Sequence, residues 1–227
     1  RNPLLKQEKE EFERILEDIA YRFDGNEKFR TLVPIKITYT PGQEKQFYTV
    51  IKDLLRDLKE TAINQAKVRM EEMQKLRAQG LKQGMELIEQ GKFEEARAHF
   101  AALVKKFPDD TELKAEIGEI YLRAAQYADA YEYLAQALRD SPESIHLYNR
   151  IGIALRKMGE FETAERYYQK ALEYTRDDSN LYFNFGRLYL DWKKWPMVAK
   201  MAEKALKFNP SFEEAGKMLK FAKKKMQ

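Results

Sequence analysis

The sequence predicts an all-α solenoid: helix–turn–helix units in tandem, a helical module ahead of them and a capping helix behind. Three observations predict it. Gly84, Gly118, Gly152 and Gly186 recur at 34-residue intervals without an insertion, and a fixed period of this order marks a repeat architecture. Other columns keep the same register: small Ala96, Ala130, Ala164 and then Val198 follow each glycine by twelve residues, and Phe93, Tyr127, Phe161 and Trp195 precede those by three. Composition suits amphipathic helices, with 34% charged and 44% apolar residues and only 10 glycines and 7 prolines in 227 residues.

Each column has a mechanical reason. Within a unit, helices A and B pack antiparallel, and glycine on A with alanine facing it on B lets them approach closely. The rings open helix B and fill the wedge beside the turn. Late on B, Leu103, Ala137, Ala171 and Ala205 are small in three of four units, so the next A helix can stack there. Pro108, Pro142 and Pro210 then end B, because proline lacks an N–H and restricts the residue before it. Arg176 stands where the fourth proline would, which should let the third unit run longer or bend differently. Gly91 and Gly159 follow helix A, where a C-cap favours glycine. Pro196 suits the first turn of its B helix.

With Leu87, Tyr121, Leu155 and Tyr189 three residues past the glycines, the Gly…Tyr…Ala…Pro order of residues 77–212 resembles the tetratricopeptide-repeat family. The likeness covers about 60% of the chain. It implies a right-handed superhelical solenoid of four units, 77–110, 111–144, 145–178 and 179–212. A capping helix over 213–227 would bury Phe212, Ala215, Leu219 and Ala222 and turn its lysines outward. The first unit departs from the family at Gly80 and Gln83, where large apolar residues are usual, so its A helix is weakly specified.

Residues 1–76 read as a separate helical module. Leu5, Phe12, Ile15, Leu16, Ile19 and Phe23 share one helical face over 3–23, and Asp24-Gly25-Asn26 ends it. Residues 31–40 are β-branched with a proline inside, hence extended. After the Pro41-Gly42 turn, 43–79 lacks both breakers and carries the stripe Phe47, Val50, Ile51, Leu54, Leu55 and Leu58, one long helix running towards the first unit. The module is expected to cover that unit as a cap, with dimerisation or docking as the alternative.

Catalytic chemistry is not written here. The chain has no cysteine, which excludes disulfides, thiolate metal sites and cysteine nucleophiles and fits a reducing compartment. His99 and His146 are far apart, and no His-Glu-x-x-His, phosphate-cradling loop or nucleophile elbow occurs. No catalytic residue, metal site or cofactor is expected. No apolar run approaches the roughly 18 residues of a membrane span, so a cytoplasmic, uninserted protein is expected. Residues 193–227 hold ten lysines and three glutamates, a charge of +7, which leaves −3 for 1–192 within the net +4. A solvated helix face accounts for this end, and nucleic acid is disfavoured as a ligand.

The family resemblance places binding on the A helices, at the second, fifth, sixth, ninth, twelfth and thirteenth residues of a unit. In the third unit these are His146, Asn149, Arg150, Ile153, Arg156 and Lys157; in the fourth, Asn180, Phe183, Asn184, Arg187, Leu190 and Asp191. The second unit offers a more acidic set, Glu112, Ala115, Glu116, Glu119, Leu122 and Arg123. The expected groove is Asn149, Arg150, Ile153, Arg156, Asn180, Phe183, Asn184 and Arg187. Amides and guanidinia would hold a peptide's backbone and carboxylates, while Ile153, Phe183 and Leu190 take its apolar side chains. The lysine and asparagine by which chaperone-binding relatives clamp a terminal carboxylate are replaced by Leu81 and Met85 in the first unit, and by Ala115 and Glu119 in the second. The expected function is therefore a non-enzymatic adaptor or scaffold binding a peptide or helix of another protein. One alternative is an effector fragment of a larger receiver- or sensor-linked signalling protein, homodimeric through its N-terminal helices. Another is a weak binder of nucleic acid or anionic surfaces through the lysine-rich end.

Overall fold

The computed structural model describes residues 44–227, without the side chains of 44–52, 54, 55 and 58. The helix expected over 3–23, the extended segment at 31–40, the Pro41-Gly42 turn and the apolar stripe from Phe47 to Leu58 lie outside the described residues and side chains. The chain divides into two compact units, Arg1–Lys75 and Leu76–Gln227. A single 46-residue helix, α1 (Glu44–Glu89), runs through the division without a break. On its first-unit stretch, Ala62 is buried, whereas Ile63, Val68, Met70 and Met73 are exposed.

The second unit continues with α2 (Phe93–Lys106), α3 (Thr111–Arg123), α4 (Tyr127–Asp140), α5 (Ile145–Met158), α6 (Phe161–Tyr174), α7 (Ser179–Asp191), α8 (Trp195–Phe208) and α9 (Glu213–Met226). All described regular structure is helical, and consecutive helices pack on one another as an all-α superhelical solenoid of repeated pairs. One contiguous core runs from Ala96 to Ala222.

Local chemistry sets the helix limits. Asp110, Ser144 and Asp178 cap α3, α5 and α7, each side chain accepting from backbone N–H groups of the first turn, which satisfies donors that have no partner within a helix. The turns between paired helices share one geometry. A left-handed residue stands in each: Gly91 (φ 74°), Ala125 (φ 57°), Gly159 (φ 82°) and Lys193 (φ 60°). The next N–H then reaches back to the carbonyl of Leu87, Tyr121, Leu155 or Tyr189, at 2.9 Å in every case. Only two of the four are the glycines that such a conformation favours.

Arg176 does not lengthen the third unit. α6 ends at Tyr174, in phase with Lys106, Asp140 and Phe208. The stop comes from hydrogen bonding instead: Tyr182 donates its hydroxyl to the Arg176 carbonyl at 3.2 Å, and Thr175 donates to Asp177 at 2.9 Å.

The glycine column works differently from a bare close approach of two helices. A Cβ on Gly84 would meet the Phe100 ring at 2.2 Å, on Gly118 the Leu134 side chain at 2.5 Å, and on Gly152 the Tyr168 ring at 2.6 Å. Each glycine thus makes room for a large side chain from helix B, while Ala96, Ala130 and Ala164 are fully buried beside it. In the fourth unit Ala202 holds the corresponding place, and Met218 of α9 fills the space, 2.6 Å from where a Cβ on Gly186 would lie. Gly80 is likewise packed rather than weak. Its Cβ would meet Leu103 at 2.5 Å, whereas later units pair a large residue with alanine at those two places: Lys114 with Ala137, Tyr148 with Ala171, Tyr182 with Ala205.

Candidate functional site

The A-helix faces of the second unit carry a continuous run of polar and apolar groups, and their depth varies along it. Between the C-terminal part of α1, α3 and α5 lies a cleft of about 500 Å³. Leu81, Met85, Ala115 and Ile120 give it an apolar lining, and Glu112, Glu119, Arg123, His146 and Arg150 charge it. Glu119 organises the charges. Arg150 Nε lies 2.6 Å from its Oε1, an ion pair whose alignment falls short of a hydrogen bond, and His146 Nε2 lies at 3.4 Å. Burial pushes the Glu119 carboxyl upward, but the His146 contact and the Arg150 charge outweigh it and hold it below the usual value. At the neighbouring edge Arg77 bridges Asp110 (2.7 Å) and Glu116 (3.2 Å).

The seam between α5 and α7 gathers most of the residues expected to bind. Asn184 Nδ2 donates to Asn149 Oδ1 at 3.1 Å, an amide bridge from one A helix to the next. Ile153 and Phe183 are half-buried, with Phe183 packed on Phe212 at 4.8 Å between ring centroids. Asn180 and Arg187 are exposed, and the Arg187 guanidinium lies 5.9 Å from the centre of the Phe183 ring. Arg150 is drawn towards Glu119 and belongs to the cleft. Arg156 does not stand free: its side chain is 4% exposed and pairs with Asp191 at 2.5 Å. It was expected on the open face because its spacing matches that face, but the reach of Asp191 one unit later turns it inward.

Sequence reasoning missed the depth of the cleft at the first two units. Leu81 and Met85 stand at the fifth and ninth places of the first unit, where they replace a clamp and line the cleft instead. Their apolar character was the available signal. Also missed was Tyr168, whose ring enters the seam beside Gly152. Among the described residues no group of three His, Cys, Asp or Glu could hold a metal ion, and no described helix is long and apolar enough to cross a membrane. His99 has a local role, with Nε2 2.8 Å from the Gly80 carbonyl.

Comparison with known proteins agrees with this fold. Tetratricopeptide-repeat models match residues 81–145 and 121–187. No curated protein matches the sequence. The chain is similar to a solved structure of MamA at 21% identity and a TM-score of 0.54, over 63% of this chain and 84% of that one. A MamA RS-1 double mutant matches at 16% identity and 0.55, over 66% and 85%. Cut9, in the Cut9–Hcn1 hetero-tetramer, matches at 20% identity and 0.50, over 63% and 29%. At such identities the likeness is one of fold.

Proposed function

From the premise that the chain is a tetratricopeptide-repeat protein, with the solenoid of a protein-interaction scaffold, we propose that it is a non-enzymatic adaptor. Its A-helix groove takes a peptide or helix from another protein. The four units are 77–110, 111–144, 145–178 and 179–212, with 213–227 as their cap, and the setting is cytoplasmic. The groove is formed by Asn149, Ile153, Asn180, Phe183, Asn184 and Arg187 with Arg156 beneath it, and the cleft at Leu81, Met85 and Glu119, which Arg150 joins, extends it. The observation that carries this reading is the run of exposed donors, Asn180 and Arg187, beside half-buried Ile153 and Phe183. Apolar pockets with a few polar groups fixing orientation are how such surfaces bind peptides. The test is capture of partners from the native lysate with Asn180→Ala, Phe183→Ala and Arg187→Ala variants of unchanged helicity. Retention of every partner by the triple variant would rule the groove out.

A second reading concerns the N-terminal module. On α1, Ile63, Met70 and Met73 are exposed at heptad-like spacing, which favours a symmetric dimer or docking role for this helix. Light scattering on the full chain decides it: a monomer at all concentrations removes the dimer.

A further inference from the structure

The seam between α5 and α7 holds donors that the fold leaves without acceptors. Two cross-connections close it: the Asn184–Asn149 amide bridge and, seven residues further along both helices, the Arg156–Asp191 ion pair. Arg187 stands between them, exposed, with only an aromatic face beneath its guanidinium among the described contacts. Arg156 is 4% exposed, yet its Nε finds no hydrogen-bond partner. The Tyr168 hydroxyl is fully buried and also lacks one. Its ring passes beside Gly152, one helical turn before Arg156. The same ring stacks on Phe185 of α7 at 5.2 Å, so it spans the seam, and Arg187 stands four residues before Asp191 on α7, on the same side of that helix. Of the two guanidinium cations only Arg156 is paired with the Asp191 carboxylate, while the Arg156 Nε and the Tyr168 hydroxyl stay buried without an acceptor. That carboxylate sits at the end of α7 with its side chain 40% exposed.

We propose that this seam is a carboxylate-exchange site. Asp191 is the resident occupant, and a carboxylate of the bound peptide takes its place, held by Arg156 below and Arg187 from the groove side. Buried donors without acceptors favour any arriving acceptor, and a guanidinium can bind a carboxylate through two parallel bonds. Asp191, tethered nearby, competes at an effective concentration of roughly millimolar. A small free acid thus displaces it poorly, whereas a peptide anchored elsewhere in the groove displaces it well. The ligand class is a peptide bearing a carboxylate, and the inference rests on the groove reading above.

The test uses the full chain and no partner. Acetate is titrated while the arginine Nε–Hε signals are followed by NMR. In Asp191→Asn the Arg156 signal should shift saturably, with an apparent dissociation constant about tenfold lower than in the wild type. Adding Arg187→Ala should weaken it by about tenfold again. Equal constants with and without Asp191, or no saturable shift in Asp191→Asn, would overturn the proposal. Should Asp191→Asn fail to fold, wild-type protein is titrated to high acetate beside Arg187→Ala, and an identical Arg156 response in the two overturns it. N-acetylglycine and N-acetylglutamate α-amide, titrated the same way, distinguish a terminal from a side-chain carboxylate. A flat titration with partner capture still dependent on Asn180 and Phe183 sinks the exchange site alone. A saturable one with capture indifferent to those residues sinks the groove instead.

Discussion

Lys114 Nζ lies 2.5 Å from Asp140 Oδ2, an ion pair built where the next two units stack rings, Tyr148 on Tyr174 and Tyr182 on Phe208. The same two places on helices A and B thus accept either a salt bridge or an aromatic stack. Lys170 and Lys204 lie over the rings of Tyr174 and Tyr182, so each stack also carries a cation. Lys114 itself is 9% exposed along its side chain, so its ammonium depends on Asp140.

The first expected outcome follows from that dependence. Asp140→Ala leaves a nearly buried cation unpaired and should cost about 1–3 kcal/mol in denaturant melts. Replacing both residues by tyrosine should recover most of the loss, because the neighbouring units stack rings there. A double variant no better than the worse single one would show that the two pairings are not interchangeable.

Acid should loosen the repeats before it melts the helices. The hydrogen bond from Lys114 holds the Asp140 carboxyl below its usual value. Burial raises Asp110, but Arg77 and the Leu113 N–H outweigh it and lower this carboxyl too; Glu119 is lowered by His146 and Arg150 against its burial. A carboxyl lowered in the folded state contributes stability that is full above its unfolded value and disappears as pH falls through the folded one. The loss should therefore begin near pH ~4, the ordinary carboxylate range, and continue below it. Urea midpoints from pH 7 to 3 measure this, and Asp110→Asn should flatten the acid limb. A limb equally steep in that variant would assign the lability elsewhere.

Glycine at the tight positions should be irreplaceable only while its large neighbour remains. Gly152→Ala drives a methyl into the Tyr168 ring, and such overpacking costs about 1–3 kcal/mol. In a Tyr168→Ala background the same change should be nearly free, a coupling that a double-mutant cycle reads directly. Additive costs would mean that the ring and the glycine do not touch.

How much of this was legible in the sequence depends on the range of the interaction. Burial follows the 34-residue columns, so Ala96, Ala130, Ala164 and the repeat glycines could be assigned to the core from spacing. The side chain admitted by each glycine could not: Phe100, Leu134 and Tyr168 vary in size, and in the fourth unit the filler is Met218, from another element. Ion pairs between units, such as Arg97–Asp129 and Arg156–Asp191, join residues 32 and 35 apart. Periodicity gives the face of each partner but not the reach of its side chain, so Arg156 was assigned to the open groove. Gly80 was misjudged for a related reason, since its compensation by Leu103 lies on a different helix.

Turn geometry offers a stabilising test. Ala125 and Lys193 occupy left-handed backbone that Gly91 and Gly159 adopt without strain. A side chain there costs of order 1–3 kcal/mol, offset in part by the greater freedom that glycine loses on folding. Ala125→Gly and Lys193→Gly should each raise the melting midpoint slightly, and Gly159→Ala should lower it. A fall on introducing either glycine would show that these turns relax around their side chains.

Met218 also bears on how the array counts its own units. One period past Gly186 the register reaches Lys220, an exposed cation where every earlier unit has glycine. Any helix arriving to pair with α9 as helix B would have to bury that ammonium without a partner, at several kcal/mol. Met218, meanwhile, already occupies the space beside Gly186. α9 therefore presents a cation, not a packing gap, at the place where each earlier A helix carries glycine. Converting Lys220 to glycine would restore that gap on α9.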